Sequence, residues 1–246
     1  NAKIKYACAV RDSEKQRAAD GLFFAEGPKL CLELAKSCTP RAMYATAAAL
    51  AKTPELAQFD PAEIAPHVAE KLSGTKSNQG VFALFETPVP PADTLDTARR
   101  ILMLEGVQDP GNVGTVIRTA NAFGVDAVIL TGVCADLYNP KTVRATMGAI
   151  FRQRVLELPL AELRAALDEN GLPLYGAALS ETARDFREIP LDKAAVAVGS
   201  EGNGLSTELL AICDGQLIIP MRPDSESLNA GVAASVIMWE MSRGSL

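Results

Sequence analysis

The chain has 246 residues, 48% of them hydrophobic, and carries 24 Lys/Arg against 30 Asp/Glu for a net charge of −6. This length fits one large domain or a small domain beside a medium one. The acidic total argues against a protein that coats nucleic acid by charge alone, and no apolar run approaches the roughly 20 residues of a membrane helix.

The start, Asn1 to Arg11, is charged and broken, so no secretory signal is expected. The five cysteines, Cys8, Cys31, Cys38, Cys134 and Cys213, form no Cys-x-x-Cys pair. An odd count in that pattern suits reduced thiols in a cytoplasm, not a disulfide framework or a zinc site. No metal site is expected. The single histidine, His67, follows Pro66 and reads as a surface residue, because no Ser or Cys motif offers it a partner.

In chain order, Gly21 to Gly27 predicts a short strand, and Pro28 opens a helix to about Lys36 with proline at its first position. Arg41 to Ala45 and Gly80 to Phe85 read as strands, and Thr53 to Gln58 and Glu63 to Leu72 as helices. Mixed elements over this length predict a small N-terminal α/β sandwich. Residues 87–98 form a linker, in which Pro88, Pro90 and Pro91 forbid helix and central strand. The linker divides the chain into domains at 1–86 and 99–246. Residues 1–90 hold 11 Lys/Arg and 10 Asp/Glu, whereas residues 91–246 hold 13 and 20, so any anion-facing charge would be concentrated early or in local patches.

The second piece alternates. Ile101–Leu104, Ala127–Leu130, Leu174–Ala178, Ala195–Val198 and Leu217–Ile219 are apolar runs that fit buried parallel strands. Helical patterns lie at Val113–Phe123, Pro140–Ile150, Leu160–Glu169, Thr207–Ile212 and Leu228–Met241. The fold class is therefore α/β, with a C-terminal parallel sheet covered on both faces.

Three glycine-bearing segments follow strands, where ligands of open α/β sheets collect. In the first, Asp109-Pro-Gly-Asn-Val-Gly-Thr-Val-Ile-Arg118, an apolar stripe leaves Thr115 and Arg118 on another face. Asn112 is either a polar site residue or a simple N-cap, and Gly124 reads as the helix stop. In the second, Gly199-Ser-Glu-Gly-Asn-Gly204, three glycines allow close backbone approach. Glu201 stands where a dinucleotide pyrophosphate would have to sit, which disfavours a nicotinamide enzyme. In the third, Ile219-Pro-Met221 leads through a polar loop to Ser227-Leu-Asn-Ala-Gly231, with Ser225 or Ser227 as the candidate N-cap.

Together, and in this order, the segments resemble the three motifs of the SpoU (TrmH-like) RNA 2′-O-methyltransferases of the SPOUT class. The resemblance covers most of residues 99–246, and no motif position departs from the pattern. Residues 1–86 look like the RNA substrate-binding domain that often precedes this catalytic domain, through Phe24-Ala-Glu-Gly27 and Gly80-Val-Phe-Ala-Leu84. The resemblance implies a deep trefoil knot, a homodimer formed through the C-terminal domain, a cytoplasmic enzyme, and S-adenosylmethionine as cofactor. By the same resemblance Gly199, Ile219, Met221 and Leu228 hold the cofactor. Asn112, Arg118, Glu201, Ser227 and Asn229 form the polar active-site set. Analogy with the N-terminal domain favours ribosomal over transfer RNA as substrate.

The ribose 2′-hydroxyl is a poor nucleophile and must lose a proton during attack. A guanidinium stays protonated, with a pKa above about 12, so Arg118 reads as a phosphate ligand that stabilises developing alkoxide charge. Glu201 or Ser227 then relays the proton. Lys15, Arg17, Lys29, Lys141 and Arg144 are candidate RNA contacts, against the alternative of ordinary solvated charges. A non-catalytic RNA-binding module that kept the fold is the competing function, and the intact polar set speaks against it.

Overall fold

A computed structural model describes residues 1–75, 77–89, 95–222, 224 and 227–245. Pro90 and Pro91 of the expected linker and the candidate cap Ser225 lie outside the described residues. The chain forms two compact units, one of residues 1–89 with 136–151 and the other of residues 90–135 with 152–246.

The first unit opens with α1 (Ala2–Asp12) and α2 (Glu14–Asp20), followed by β1 (Leu22–Glu26) and α3 (Pro28–Ala35). Next come β2 (Ala42–Ala45), α4 (Ala47–Lys52), a 3-10 helix over Pro54–Phe59, β3 (Ala62–Glu63), α5 (Pro66–Leu72) and β4 (Val81–Glu86), and α7 (Pro140–Thr146), which follows α6 (Pro110–Phe123) in the chain, completes it. The strands form one sheet in the order β1-β4-β2-β3, antiparallel except for the β2–β3 pair. Alternation along β1 sends neighbouring rings to opposite faces. Phe24 joins Ile4, Ala7 and Val10 of α1 and Leu72 of α5 in one core. Phe23 stacks on Tyr138 at 5.4 Å and lies 5.7 Å from both Phe85 and Phe151.

These rings explain why residues 136–151, which the sequence reading places in the C-terminal piece, belong with the first unit. The helix expected at 140–150 also stops early. Thr146 ends α7, Met147 (φ 49°) and Gly148 (φ 85°) turn left-handed, and a single 3-10 turn follows over Ala149–Phe151. The expected helix from Glu63 starts only at Pro66, because proline holds Ala65 extended (ψ 153°) and leaves Glu63 in β3. Helices α1, α2 and α4 escape the pattern reading. The buried stripe of α1 is only Ile4, Ala7 and Val10, and α4 is built largely of alanine. Ser13 separates α1 from α2: its N–H donates to Ala9 O at 3.0 Å, and its hydroxyl accepts from Gln16 N at 3.2 Å.

One expected RNA contact is overturned here. Arg17 is only 5% exposed. Its Nε and Nη2 donate to Asp136, and its Nη1 donates to the carbonyls of Val10 and Arg11, each at 2.7 Å. The guanidinium is therefore an interior tie inside the first unit. Asp136→Ala would leave a buried cation without its counter-charge, so we expect it to lower unfolding free energy by about 3 kcal/mol in urea titrations.

The second unit contains β5 (Arg100–Glu105), α6 (Pro110–Phe123), β6 (Ala127–Thr131), β7 (Val155–Glu157), α8 (Leu160–Glu169) and β8 (Leu174–Ala177). It continues with β9 (Arg184–Asp185), β10 (Ala194–Gly199), α9 (Thr207–Ile212), β11 (Gly215–Ile218) and α10 (Ala230–Ser242). Its seven strands are all parallel, in the order β7-β6-β5-β10-β8-β11-β9. The short strands β7 and β9, which no apolar run announces, sit at the two edges. On one face Ile101, Met103, Ile129 and Ala197 pack with Leu163 and Leu167 of α8 and Leu209 of α9. Helix α10 contacts α6, β5 and β10. All five cysteines are free thiols, and among the described residues no helix is long and apolar enough to cross a membrane.

Candidate active site

The three glycine-bearing segments follow β5, β10 and β11, at the carboxyl ends of the parallel strands. The loop after β10 is the most constrained. A Cβ at Gly199 would stand 2.1 Å from the carbonyl carbon and oxygen of Gly204 and 2.5 Å from Leu205 N, so only glycine fits. The loop closes on itself through Gly204 N donating to Ser200 O at 2.9 Å, with Gly204 at φ +65°.

Glu105, at the end of β5, clamps the far side of this loop. Its carboxylate accepts from Ser206 N at 2.7 Å and from Ser206 Oγ at 2.6 Å. The same Ser206 hydroxyl accepts from Leu209 N at 3.1 Å and so caps α9. Sequence reasoning missed both residues. The only local signal was Ser206 before Thr-Glu-Leu-Leu, the mark of an N-cap.

Beside the loop lies a cavity of about 400 Å³. Gly199, Ile219, Met221 and Leu228, the four expected cofactor residues, all line it, together with Glu201 and Ser227. Leu205 and Ala233 supply further apolar wall.

The cap assignments differ from the sequence reading, and the difference matters for the site. Asp109 caps α6 by accepting from Asn112 N at 3.0 Å, so Asn112 is not the cap. Its side chain is free for the site, where Nδ2 donates to Glu201 Oε1. Asn229, not Ser227, caps α10, accepting from Val232 N at 3.2 Å. A Cβ at Gly231 would meet Asn112 Oδ1 and Asn229 Oδ1, each at 3.2 Å, so the two helix starts converge there.

The structure therefore brings together Asn112, Glu201 and Asn229, with Ser227 at the cavity. It does not bring in Arg118, which is exposed on α6 and lines none of these walls. Val232 and Trp239 of α10, each about half exposed at 48% and 49%, lie along a groove between α6 and α10. Asn112 and Asn229 form one end of that groove, and the Trp239 ring meets Phe123 edge-on at 5.5 Å. In the first unit Lys15, Lys29 and Lys141 are exposed, and Arg144 is half-buried. His67 is exposed on α5, as expected of a surface histidine.

The profile of the SpoU rRNA Methylase family matches residues 99–239, and that of the MRM3-like substrate binding domain matches residues 1–83. The chain belongs to the SpoU rRNA methylase family. Among similar proteins is the 23S rRNA (guanosine(2553)-2′-O)-methyltransferase RlmP of Bacillus subtilis, 41% identical over 152 residues. That match spans 61% of this chain and 61% of the relative. Across the whole chain, the fold is similar to the AdoMet-bound rRNA methyltransferase of Sinorhizobium meliloti, with a TM-score of 0.86, 26% identity, and coverage of 100% and 96% of the two chains. It is also similar to the SpoU methyltransferase AviRb of Streptomyces viridochromogenes in complex with AdoMet, with a TM-score of 0.87, 25% identity, and coverage of 99% and 98%. The segments after β10 and β11 line the cavity, and the segment after β5 reaches them through the Asn112–Glu201 bond.

Charge-assisted bonds such as those of Glu105 contribute about 1.5–3 kcal/mol. We expect Glu105→Ala to lower stability by about 2 kcal/mol and to speed amide hydrogen exchange at Ser206 and Leu209 more than in β6.

Proposed function

We propose that this chain transfers a methyl group from S-adenosylmethionine to a ribose 2′-hydroxyl of RNA, with ribosomal RNA as the substrate. The observation that carries the reading is the cavity beside the Gly199 loop, with the Asn112–Glu201 pair and Asn229 nearby. The family membership and the B. subtilis relative, whose name specifies 23S rRNA, support the substrate class.

The residues present fit S-adenosylmethionine. The bare Gly199 lets Gly204 fold back onto it, and the doubled loop so formed is one wall of the cavity. The apolar walls from Leu205, Ile219 and Leu228 suit an adenine ring and exclude water. Glu201 offers a carboxylate to a cationic ligand, which the pyrophosphate of a dinucleotide would instead find repulsive. When bound, the cofactor supplies a methyl group on a positively charged sulfur.

The chain's own residues mainly position the reactants. Asn112 holds the Glu201 carboxylate by its amide N–H. The Glu201 carboxylate accepts the proton that the 2′-hydroxyl releases, directly or through the Ser227 hydroxyl, which passes its own proton on as it takes the new one. Asn229 keeps its side-chain oxygen on the α10 cap and orients rather than titrates. Arg118, exposed on α6 outside the cavity, is the group we assign to a neighbouring phosphate of bound RNA, and its charge stabilises the alkoxide only once the RNA is in place.

The same reading includes a trefoil knot in the second unit. Its support is the strand order, in which β10 lies between β5 and β8 while α10 comes back onto β5 and α6. It also includes a cytoplasmic homodimer built on the α6/α10 groove, a second copy covering Val232 and Trp239. Large apolar side chains left half exposed beside a site are a mark of such a surface.

Incubation with tritiated S-adenosylmethionine and either ribosomal or transfer RNA tests the activity. We expect label in ribosomal RNA, at a ribose that resists alkaline cleavage, and label in neither RNA would refute the reading. In the same assay Arg118→Lys keeps the charge and loses the planar fork, so we expect turnover to fall about 10²-fold; near wild-type turnover would refute the phosphate-clamp role. Trp239→Glu should give a monomer by light scattering at concentrations where the wild type is a dimer.

A further inference from the structure

We propose that a pocket in the first unit, at the start of α3, binds a backbone phosphate of RNA. Glu26, Gly27, Lys29, Gln79, Arg144 and Met147 line it, and its volume is about 360 Å³. The proposal rests on the reading of the chain as an RNA-modifying enzyme, but it uses none of the residues around the cavity of the second unit.

Arg144 is the first reason. Its Nη1 is shielded from solvent and has no hydrogen-bond partner among the described residues. A buried charged donor without an acceptor is costly, and native structures rarely leave one without cause. The guanidinium is a planar fork of N–H groups, the shape that matches a phosphate. Helix α7 brings this fork to a pocket that already contains a second cation.

Lys29 is that cation. It is exposed on the first turn of α3 and pairs with no acidic side chain among the described residues. The turn itself adds donors. Gly27, at φ 105°, enters α3 with no side-chain cap, and the first N–H groups of a helix have no partner within it. Such ends favour anions.

Glu26 lines the same pocket and is the group that an anion would have to tolerate. Its carboxylate is already engaged, accepting from Ser73 Oγ at 2.6 Å, Thr75 Oγ1 at 2.8 Å and Gly74 N at 3.0 Å. Three donors hold its charge, while Arg144 Nη1 and Lys29 have no such partner among the described residues. A chain of net charge −6 has no general attraction for RNA, so its phosphate contacts must be local sites of this kind.

The test is fluorescence anisotropy of labelled ribosomal RNA fragments binding to the full chain across a salt series. We expect Arg144→Gln and Lys29→Gln each to weaken binding severalfold. Each should also make the slope of log affinity against log salt shallower by about 0.7–0.9, the value of one lost phosphate contact. Arg144→Lys should keep the slope and lose part of the affinity, since it keeps the charge and loses the fork. Arg144 Nη1 has no partner to abandon among the described residues, so its variants should melt with the wild type; if one does not, exposed Lys29 carries the comparison. Wild-type affinity and slope in both glutamine variants would overturn the proposal. So would saturable binding of inorganic phosphate with an unchanged RNA slope, which would make this a small-anion site. A chain that shows the slope change but methylates no RNA would refute the proposed activity and leave this site standing. Methyl transfer with unchanged slopes would do the reverse.

Discussion

No side chain fits at position 199, and the geometry of the second unit's cavity follows from that exclusion. Because Gly199 has no Cβ, the chain leaving β10 can fold back until the Gly204 carbonyl occupies the space that a side chain would need. The backbone so doubled forms a wall of the cavity and carries Glu201 to where Asn112 can hold it. Glu105 then fastens the exit of the loop through Ser206, which in turn starts α9. One steric vacancy and one carboxylate thus set a turn between two parallel strand ends, in a fold whose ligand sites lie at such ends.

The central strands were legible because strands buried on both faces read as continuous apolar runs, as in Ile101–Leu104 and Ala195–Val198. The edge strands β7 and β9, three and two residues long, bury too little to leave a pattern. The site motifs were legible as segments but not as a site. Asn112 and Glu201 are 89 residues apart, and Glu105 and Ser206 are 101 apart, so no local spacing could pair them. Caps were ambiguous for a simpler reason. Asp109 and Asn112 both have the right side chain, and so do Ser227 and Asn229; only the path of the backbone chooses between them.

Charge behaved differently from apolar pattern. Five basic residues looked alike in the sequence, yet the structure separates them. Arg17 is consumed by Asp136 and two carbonyls inside the first unit. Lys15 is an exposed charge, and Arg144 is half-buried. A guanidinium can serve as an interior brace or as a surface hand, and composition does not distinguish them. Burial and partner inventory do.

The assignment of residues 136–151 to the first unit has an evolutionary consequence. Substrate-binding modules are often imagined as beads exchanged at a linker, here the proline-rich stretch at 87–98. In this chain a cut there would strand Tyr138, Phe151 and Asp136 away from Phe23 and Arg17, the groups they pack and pair with. The N-terminal module is therefore not a free cassette. A recombination event that replaced it would have to carry along, or compensate for, a helix encoded in the middle of the SpoU-family segment, so the two parts are expected to have been inherited together.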